Sequence, residues 1–206
     1  MILTVNEWKK MILSASDLFE QNVTPLSELD AIIGDGDHGI TIGKIAAFLR
    51  QKAEDDSITE TADLFDEIGM GLLGLPGGSA CPLYGTYLGA FGEDMREGDC
   101  DESVMKAMFL HAFDEFNETS GAKVGDKTMM DALIPATDAI RKTEGSAAEI
   151  LRAAADAAKD GADATVNFVA KFGRARNYKE RTLGYKDPGA VSMSLLFEGF
   201  ARALES

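Results

Sequence analysis

The sequence predicts an all-α fold, with about eight helices packed around one core as a compact barrel or bundle. Apolar residues recur mostly at helical spacing along the 206 residues, and alternation with a period of two over strand lengths is scarce. No internal repeat, low-complexity linker or shift in composition marks a boundary, so we expect residues 1–206 to form a single domain. The hydrophobic content of 45% is sufficient for an ordinary buried core.

Helices are predicted in succession along the first half of the chain. The first runs from Val5 to Phe19, begins near Thr4 or Asn6, and offers Trp8, Ile12, Leu13 and Leu18 for a core face. Pro25 and a loop rich in aspartate and glycine then interrupt the helical pattern. The next helices are predicted from Ile40 to Ala53, from Ile58 to Leu73 and, after a break at residues 74–78, from Ser79 to Met95.

The second half continues the helical pattern. Helices are predicted from Ser103 to Asn117 and from Thr128 to Arg141, with a glycine-bearing turn at residues 120–125 between them. The alanine-rich segment from Ser146 to Phe172 is interpreted as one long helix or as two stacked end to end. A basic, polar loop follows, and Asp187 and Pro188 begin the last helix as N-cap and first helical residue.

The charge of the chain limits its partners. A formal net charge of −15 argues against binding to nucleic acids or anionic membranes, because both are negative themselves. Cys81 and Cys100 are too few for a disulfide framework, and neither a signal-like N-terminus nor a membrane-length apolar run is present. We therefore expect a cytoplasmic protein that needs cations as intermediaries if it handles phosphates.

The loop at residues 29–39 carries three carboxylates, Asp30, Asp35 and Asp37, among three glycines. Such crowding is unfavourable unless a cation lies among the acids, and small residues let the backbone direct both oxygens of an Asp-Gly-Asp sequence at one hard ion. The loop is interpreted as a Mg²⁺ site, with a plain surface turn as the alternative. An EF-hand is excluded, because Ala46 stands where its bidentate acid would be.

Three further motifs suit phosphate chemistry. Gly77-Gly78-Ser79 opens a helix, where free backbone N–H groups attract an anion, although a tight turn is the alternative. The segment 125–131 carries paired methionines that could contact a planar base or simply pack in the core. Arg174, Arg176 and Arg181 form a basic loop that is either solvated or placed for a transferring phosphoryl group. Their joint occurrence with the acidic loop favours phosphoryl transfer, in which His38 could bind phosphate or orient a metal ligand.

Together these motifs resemble the L subunit of dihydroxyacetone kinase, which also occurs as the C-terminal domain of single-chain ATP-dependent dihydroxyacetone kinases. The resemblance covers nearly the whole chain. It is carried by Asp30 with residues 34–39, by Pro76-Gly77-Gly78-Ser79 with residues 82–85, by residues 125–133, and by Gly173-Arg174-Ala175 with Asp187-Pro188-Gly189-Ala190.

The resemblance implies an eight-helix antiparallel barrel that holds ADP or ATP at one end. It implies two Mg²⁺ ions, coordinated by Asp30, Asp35 and Asp37, and phosphoryl transfer in which Arg181 and His38 act. The nucleotide contacts that it implies are His38, Thr41, Gly78, Ser79, Ala80, Gly121, Met130, Arg181, Asp187 and Gly189.

The partners are also implied by the resemblance. A K subunit would hold dihydroxyacetone, and a phosphohistidine subunit of the phosphotransferase system would recharge the bound ADP, with a homodimer as a further option. The chain departs from the family at Ile40-Thr41-Ile42, where Thr-Asn-Met is usual, and at Tyr185-Lys186, which leaves the sugar and the donor open. Two rival functions are a non-catalytic nucleotide-binding partner of a transcription regulator or kinase subunit, and a kinase that exchanges ATP freely.

Overall fold

A computed structural model describes residues 2–95 and 100–205 of the chain. In these residues the backbone forms nine α-helices: α1 Val5–Gln21, α2 Val23–Ile33, α3 His38–Ala53, α4 Thr61–Gly74, α5 Ala80–Asp94, α6 Glu102–Ser120, α7 Met130–Lys142, α8 Ala147–Ala164 and α9 Pro188–Glu205. Short 3-10 segments at Thr165–Asn167 and Ala175–Thr182 lie between α8 and α9. The described ranges contain no β-strand beyond an isolated bridge between Leu3 and Cys100.

Eight of the helices form a closed ring. Along the ring α1 contacts α3, each helix from α3 to α9 contacts the next, and α9 contacts α1 again. Helix α2 lies outside the ring, against α3 and α9. The predicted all-α fold and eight-helix barrel are therefore confirmed, with α2 as an additional helix at one end.

Side-chain caps explain where several helices begin. Thr4 precedes α1 and Ser146 precedes α8, and each forms a capping box with the glutamate three residues later, Glu7 or Glu149. The carboxylate of Asp101 accepts hydrogen bonds from two backbone N–H groups at the start of α6. These starts agree with the sequence prediction to within a residue or two, because capping depends on local residues alone.

The interior of the barrel is filled by aromatic side chains. The Trp8 ring lies edge-on to Phe65, with ring centroids 5.2 Å apart, and Phe91 meets Phe109 at 4.8 Å. Phe200 of α9 also packs edge-on against Trp8. These rings come from α1, α4, α5, α6 and α9, so one buried cluster joins distant parts of the chain and makes the barrel a rigid support.

Most helix boundaries lie within three residues of the predicted ones, and two segments differ from the prediction by more. Helix α2 was not predicted, because Pro25 and the acidic loop were interpreted as an interruption of the helical pattern, and only Leu26 and Ile33 of its residues are buried. Pro25 lies in its first turn, where a proline is tolerated. The predicted helix through Phe172 is too long: α8 ends at Ala164, and the chain continues as a 3-10 turn and extended residues. No helix in the described parts of the chain is long and apolar enough to cross a membrane.

The close contact between α9 and α1 depends on the absence of a side chain at Gly199. A Cβ atom added to Gly199 would lie 2.4 Å from the Ala15 Cα atom, whereas a Cβ on Gly74 would meet nothing within 4 Å. We expect Gly199→Ala to lower the free energy of unfolding by about 1–3 kcal/mol through overpacking. Gly74→Ala, the matched control, should leave it unchanged or raise it by about 0.4–1 kcal/mol. Urea unfolding of both variants measures this, and equal effects would contradict the proposed close approach.

Candidate functional site

A cavity of about 560 Å³ lies at one end of the barrel. The first residues of α3, α5 and α9 contribute to its wall, together with Met129 directly before α7 and the last residues of α2 and α6. Every second helix of the ring therefore begins at this end, as antiparallel neighbours require. Because helix N-termini carry free N–H groups and partial positive charge, their convergence makes the cavity attractive to an anion.

Three carboxylates stand on one side of this cavity. Asp30 comes from the end of α2, Asp35 and Asp37 come from the loop before α3, and their oxygens lie within 4.8 Å of one another. Asp30 also accepts a hydrogen bond of 3.1 Å from the backbone N–H of His38. A Cβ atom at Gly34 would lie 2.1 Å from the Asp30 Oδ1 atom, so only glycine permits this packing. The oxygens form a donor set that suits a hard divalent cation.

Arg174 supplies positive charge to the same carboxylates. Its guanidinium contacts the Asp35 carboxylate and lies 3.9 Å from the Asp37 Oδ2 atom. From the sequence, Arg174 was predicted only as part of a basic loop, and the family resemblance implied Arg181 as the acting residue. Arg181 lies in an adjoining recess, where its guanidinium is 5.8 Å from the centroid of the Tyr178 ring. Both arginines therefore flank the acidic loop, but Arg174 is the one that contacts it.

His38 is held by a chain of hydroxyl groups. Its Nε2 atom is 3.0 Å from the Ser192 Oγ atom, which also accepts a hydrogen bond of 3.1 Å from the Tyr84 hydroxyl. Burial lowers the pKa of His38, and the nearby Asp30 carboxylate and a hydrogen bond to the Pro188 carbonyl oppose that shift. The imidazole is therefore neutral near pH 7 and held in a fixed orientation at the cavity wall.

The glycine loop before α5 approaches the start of α3. The Gly78 N–H donates to the Thr41 Oγ1 atom across 3.5 Å, and a Cβ on Gly77 would meet the Cys81 Sγ atom at 2.6 Å. Ser79 directly precedes α5 and makes no capping hydrogen bond with its side chain. The Cys81 side chain is buried, and burial raises the pKa of its thiol, as expected for a packing residue.

The loop before α7 contains a buried lysine that sequence analysis did not single out. Lys127 has a φ of 61° and is 2% exposed, and its Nζ atom donates to the carbonyl oxygens of Thr165 and Tyr185. The Asp131 carboxylate accepts from the backbone N–H groups of Gly125 and Thr128 at 2.6 and 2.7 Å. Lys127 therefore joins the start of α7 to the segments after α8. The one signal in the sequence that could have identified Lys127 is its positive charge within the turn before α7.

Asp187 is the N-cap of α9, as predicted. Its carboxylate accepts a hydrogen bond of 2.7 Å from the Ala190 N–H, and its own N–H donates to the Thr165 Oγ1 atom at 2.9 Å. Burial raises the pKa of the Asp187 carboxyl to about 7, and the neighbouring Asp131 carboxylate adds to the increase. The group therefore titrates close to neutral pH.

The structure brings most of the predicted site residues to one cavity. Its wall includes the following predicted residues: Asp30, Asp35, Asp37, His38, Gly78, Ser79, Ala80, Asp187 and Gly189. Thr41 is not part of the cavity wall but lies against Gly78, which is. Gly121 and Met130 are not part of the wall, but their neighbours Ser120 and Met129 are. The roles of these residues stay predictions, whereas their proximity is a property of the fold.

The chain is similar to a family of known proteins. A family model described as the DAK2 domain matches residues 32–202. The ADP-binding subunit DhaL of PEP-dependent dihydroxyacetone kinase 2 from Listeria innocua is 35% identical over 199 residues, which cover 91% of this chain and 91% of that protein. An L-erythrulose kinase from Pectobacterium atrosepticum is also 35% identical, over 94% of this chain but 34% of that longer protein.

A solved structure has the same fold. The dihydroxyacetone kinase from C. freundii, in complex with AMP-PNP and Mg²⁺, aligns with a TM-score of 0.71 and 27% identity. The alignment covers 94% of this chain and 33% of that chain. This chain therefore spans nearly the whole Listeria subunit but about a third of the erythrulose kinase and of the solved kinase.

The pKa of Asp187 predicts a pH-dependent stability. Because an exposed aspartate has a pKa near 3.9, the folded protein holds a proton that the unfolded chain loses between about pH 4 and pH 7. The contribution of Asp187 to stability therefore falls as the pH rises through this interval. Asp187→Asn stays neutral and keeps an acceptor for Ala190, so its stability relative to wild type should rise by roughly 1–4 kcal/mol between pH 4 and pH 8. Urea unfolding of the nucleotide-free proteins tests this, and a constant difference would contradict it.

Proposed function

The chain belongs to the DAK2 domain family, and from this we propose that it is the nucleotide-binding subunit of a kinase that phosphorylates dihydroxyacetone or a related short ketose. One observation carries the proposal: three carboxylates with oxygens within 4.8 Å of one another face a cavity that is lined by four helix N-termini. A bare carboxylate cluster repels phosphate, and a set of helix N-termini attracts it. A metal-bound nucleotide satisfies both groups at once.

We propose that Asp30, Asp35 and Asp37 hold two Mg²⁺ ions against the phosphates of ADP or ATP. When bound, these ions would neutralise charge on the phosphate oxygens during transfer. The N–H groups at the start of α5, near Gly78 and Ser79, would bind the phosphates from the opposite side. The cavity volume of about 560 Å³ falls within the range of roughly 300–1,000 Å³ that is usual for small-molecule sites.

Phosphoryl transfer depends mainly on positioning and charge stabilisation, and the residues at the site suit those tasks. Arg181 is proposed to stabilise the charge of the transferring phosphoryl group from the recess beside the acidic loop. The His38 ring is buried and already pairs with Ser192, and its backbone N–H donates to Asp30, so we propose that it acts by holding the acidic loop in position beside the phosphates. Neither residue needs to remove a proton from the acceptor in the chemical step.

The acceptor is proposed to come from a separate K subunit. The chain contains two histidines, of which His38 belongs to the cavity wall and His111 lies within α6. His38 already pairs with Ser192, and we propose that neither histidine holds a ketone covalently. The relatives whose whole length the chain nearly spans are named as ADP-binding subunits of PEP- or PTS-dependent kinases. We therefore propose a phosphohistidine protein, rather than free ATP, as the source of the phosphoryl group.

Asp35→Asn tests the metal-bridged nucleotide. Because one carboxylate of the proposed cation site is lost, the affinity for ADP in the presence of Mg²⁺ should fall by at least about tenfold. Asp56→Asn is the matched control, since it removes the same charge from an exposed turn between α3 and α4. Isothermal titration with ADP and Mg²⁺ measures both variants, and an unchanged affinity in Asp35→Asn would contradict the assignment of the acidic loop.

Reconstituted phosphoryl transfer tests the activity. The chain, a ketose-binding subunit of a dihydroxyacetone kinase and a phosphohistidine donor should together produce ketose phosphate while ADP stays bound. Arg181→Ala should lower that rate by roughly 10- to 1,000-fold with little loss of bound ADP, because the interaction acts chiefly in the transition state. Bound nucleotide without ketose phosphate would instead favour a regulatory partner, and turnover of free ATP without the donor would favour an exchanging kinase.

A further inference from the structure

Arg174 occupies an unusual position for a residue of an exposed loop. Its guanidinium contacts Asp35 and lies 3.9 Å from Asp37, two of the three carboxylates that face the cavity. A divalent cation on these oxygens and the guanidinium would stand within a few ångströms of each other and repel. The guanidinium and a cation therefore compete for one set of oxygens.

The backbone of this loop is fixed without the ion pair of Arg174. On one side the Lys171 N–H and Nζ groups donate to the Asp126 carbonyl and carboxylate at 3.1 and 2.7 Å. On the other side the Gly184 N–H donates to the Val166 carbonyl at 2.8 Å. The Arg174 side chain itself is 66% exposed. Its long side chain can thus change partners while the loop backbone stays attached to the barrel.

We propose that Arg174 alternates between two anionic partners: Asp35 and Asp37 while no divalent cation is bound, and the γ-phosphate of a nucleoside triphosphate, the outermost one, once a cation takes those oxygens. This inference rests on the proposed function, because it requires the acidic loop to bind the cation. In addition, binding of the cation would release the Arg174 guanidinium from the carboxylates, next to the phosphate that is transferred. The same arginine thereby stabilises the carboxylates before loading and the phosphate charge after it.

Arg176 provides a matched control within the same loop. It is exposed, lies two residues from Arg174, and shows no side-chain hydrogen bond or ion pair within the described residues. Arg174→Gln and Arg176→Gln make the same change in charge within the same loop. A difference between the two variants therefore reports the specific pairing of Arg174 with the acidic loop.

The first test uses Mn²⁺ alone, on protein stripped of nucleotide and metal, with binding followed by electron paramagnetic resonance. Arg174→Gln should bind Mn²⁺ about three- to tenfold more tightly than wild type, because no guanidinium must be displaced, and Arg176→Gln should change the affinity less than about twofold. An equal effect in the two variants, or weaker binding in Arg174→Gln, overturns the proposal. Absence of Mn²⁺ binding in wild type would refute the metal site and the proposed function with it.

The second test compares AMP-PNP with ADP, both with saturating Mg²⁺, by isothermal titration. The ratio of the two affinities isolates the outermost phosphate, since the adenosine and metal contributions are shared. In Arg174→Gln this ratio should shift against AMP-PNP by about threefold or more, while Arg176→Gln keeps the ratio of wild type. Tighter Mn²⁺ binding together with a lost preference for AMP-PNP supports the alternation, and a merely structural arginine would not move the two readouts in opposite directions. An unchanged ratio overturns the second half of the proposal.

Discussion

Mutual repulsion among Asp30, Asp35 and Asp37 is the constraint on which the rest of the site depends. Their oxygens lie within 4.8 Å of one another, a spacing that costs free energy unless positive charge is near. The chain supplies part of that charge through Arg174 and through the helix N-termini around the cavity. A cation together with a phosphate tail would supply the remainder, since the cation satisfies the acids and the phosphates satisfy the helix ends.

The barrel holds these opposing charges at fixed positions. Aromatic packing around Trp8 joins five of the ring helices, among them α5 and α9, so these two helix starts at the cavity cannot move apart independently. Lys127 adds a buried link between the start of α7 and the carbonyls of Thr165 and Tyr185. Such preorganisation favours transfer chemistry, because the dipoles and charges need little rearrangement when the phosphate charge develops.

Local motifs were predictable from sequence, and features that depend on distant contacts were not. A few neighbouring residues determine the capping boxes at Thr4 and Ser146, and the same is true of the acidic loop. Helix starts and candidate metal ligands could therefore be predicted from the sequence. Helix α2 buries only Leu26 and Ile33 of its residues and is held by contacts with α3 and α9. The end of α8 coincides with Thr165, whose carbonyl accepts from Lys127, a contact that spans 38 positions of the chain. The pairing of Arg174 with Asp35 is equally remote in sequence, which is why Arg174 could be named as part of a basic loop but not as a partner of the acidic loop.

The most direct test of the account is a crystal structure of the protein with ADP and Mn²⁺, in which anomalous scattering locates the metal. The account predicts manganese bound by the carboxylates of Asp30, Asp35 and Asp37, with the diphosphate bridging from the metal to the N–H groups at the start of α5. Arg174 should then have left Asp35. Nucleotide bound elsewhere, or a diphosphate held in the cavity without metal on these aspartates, would contradict it.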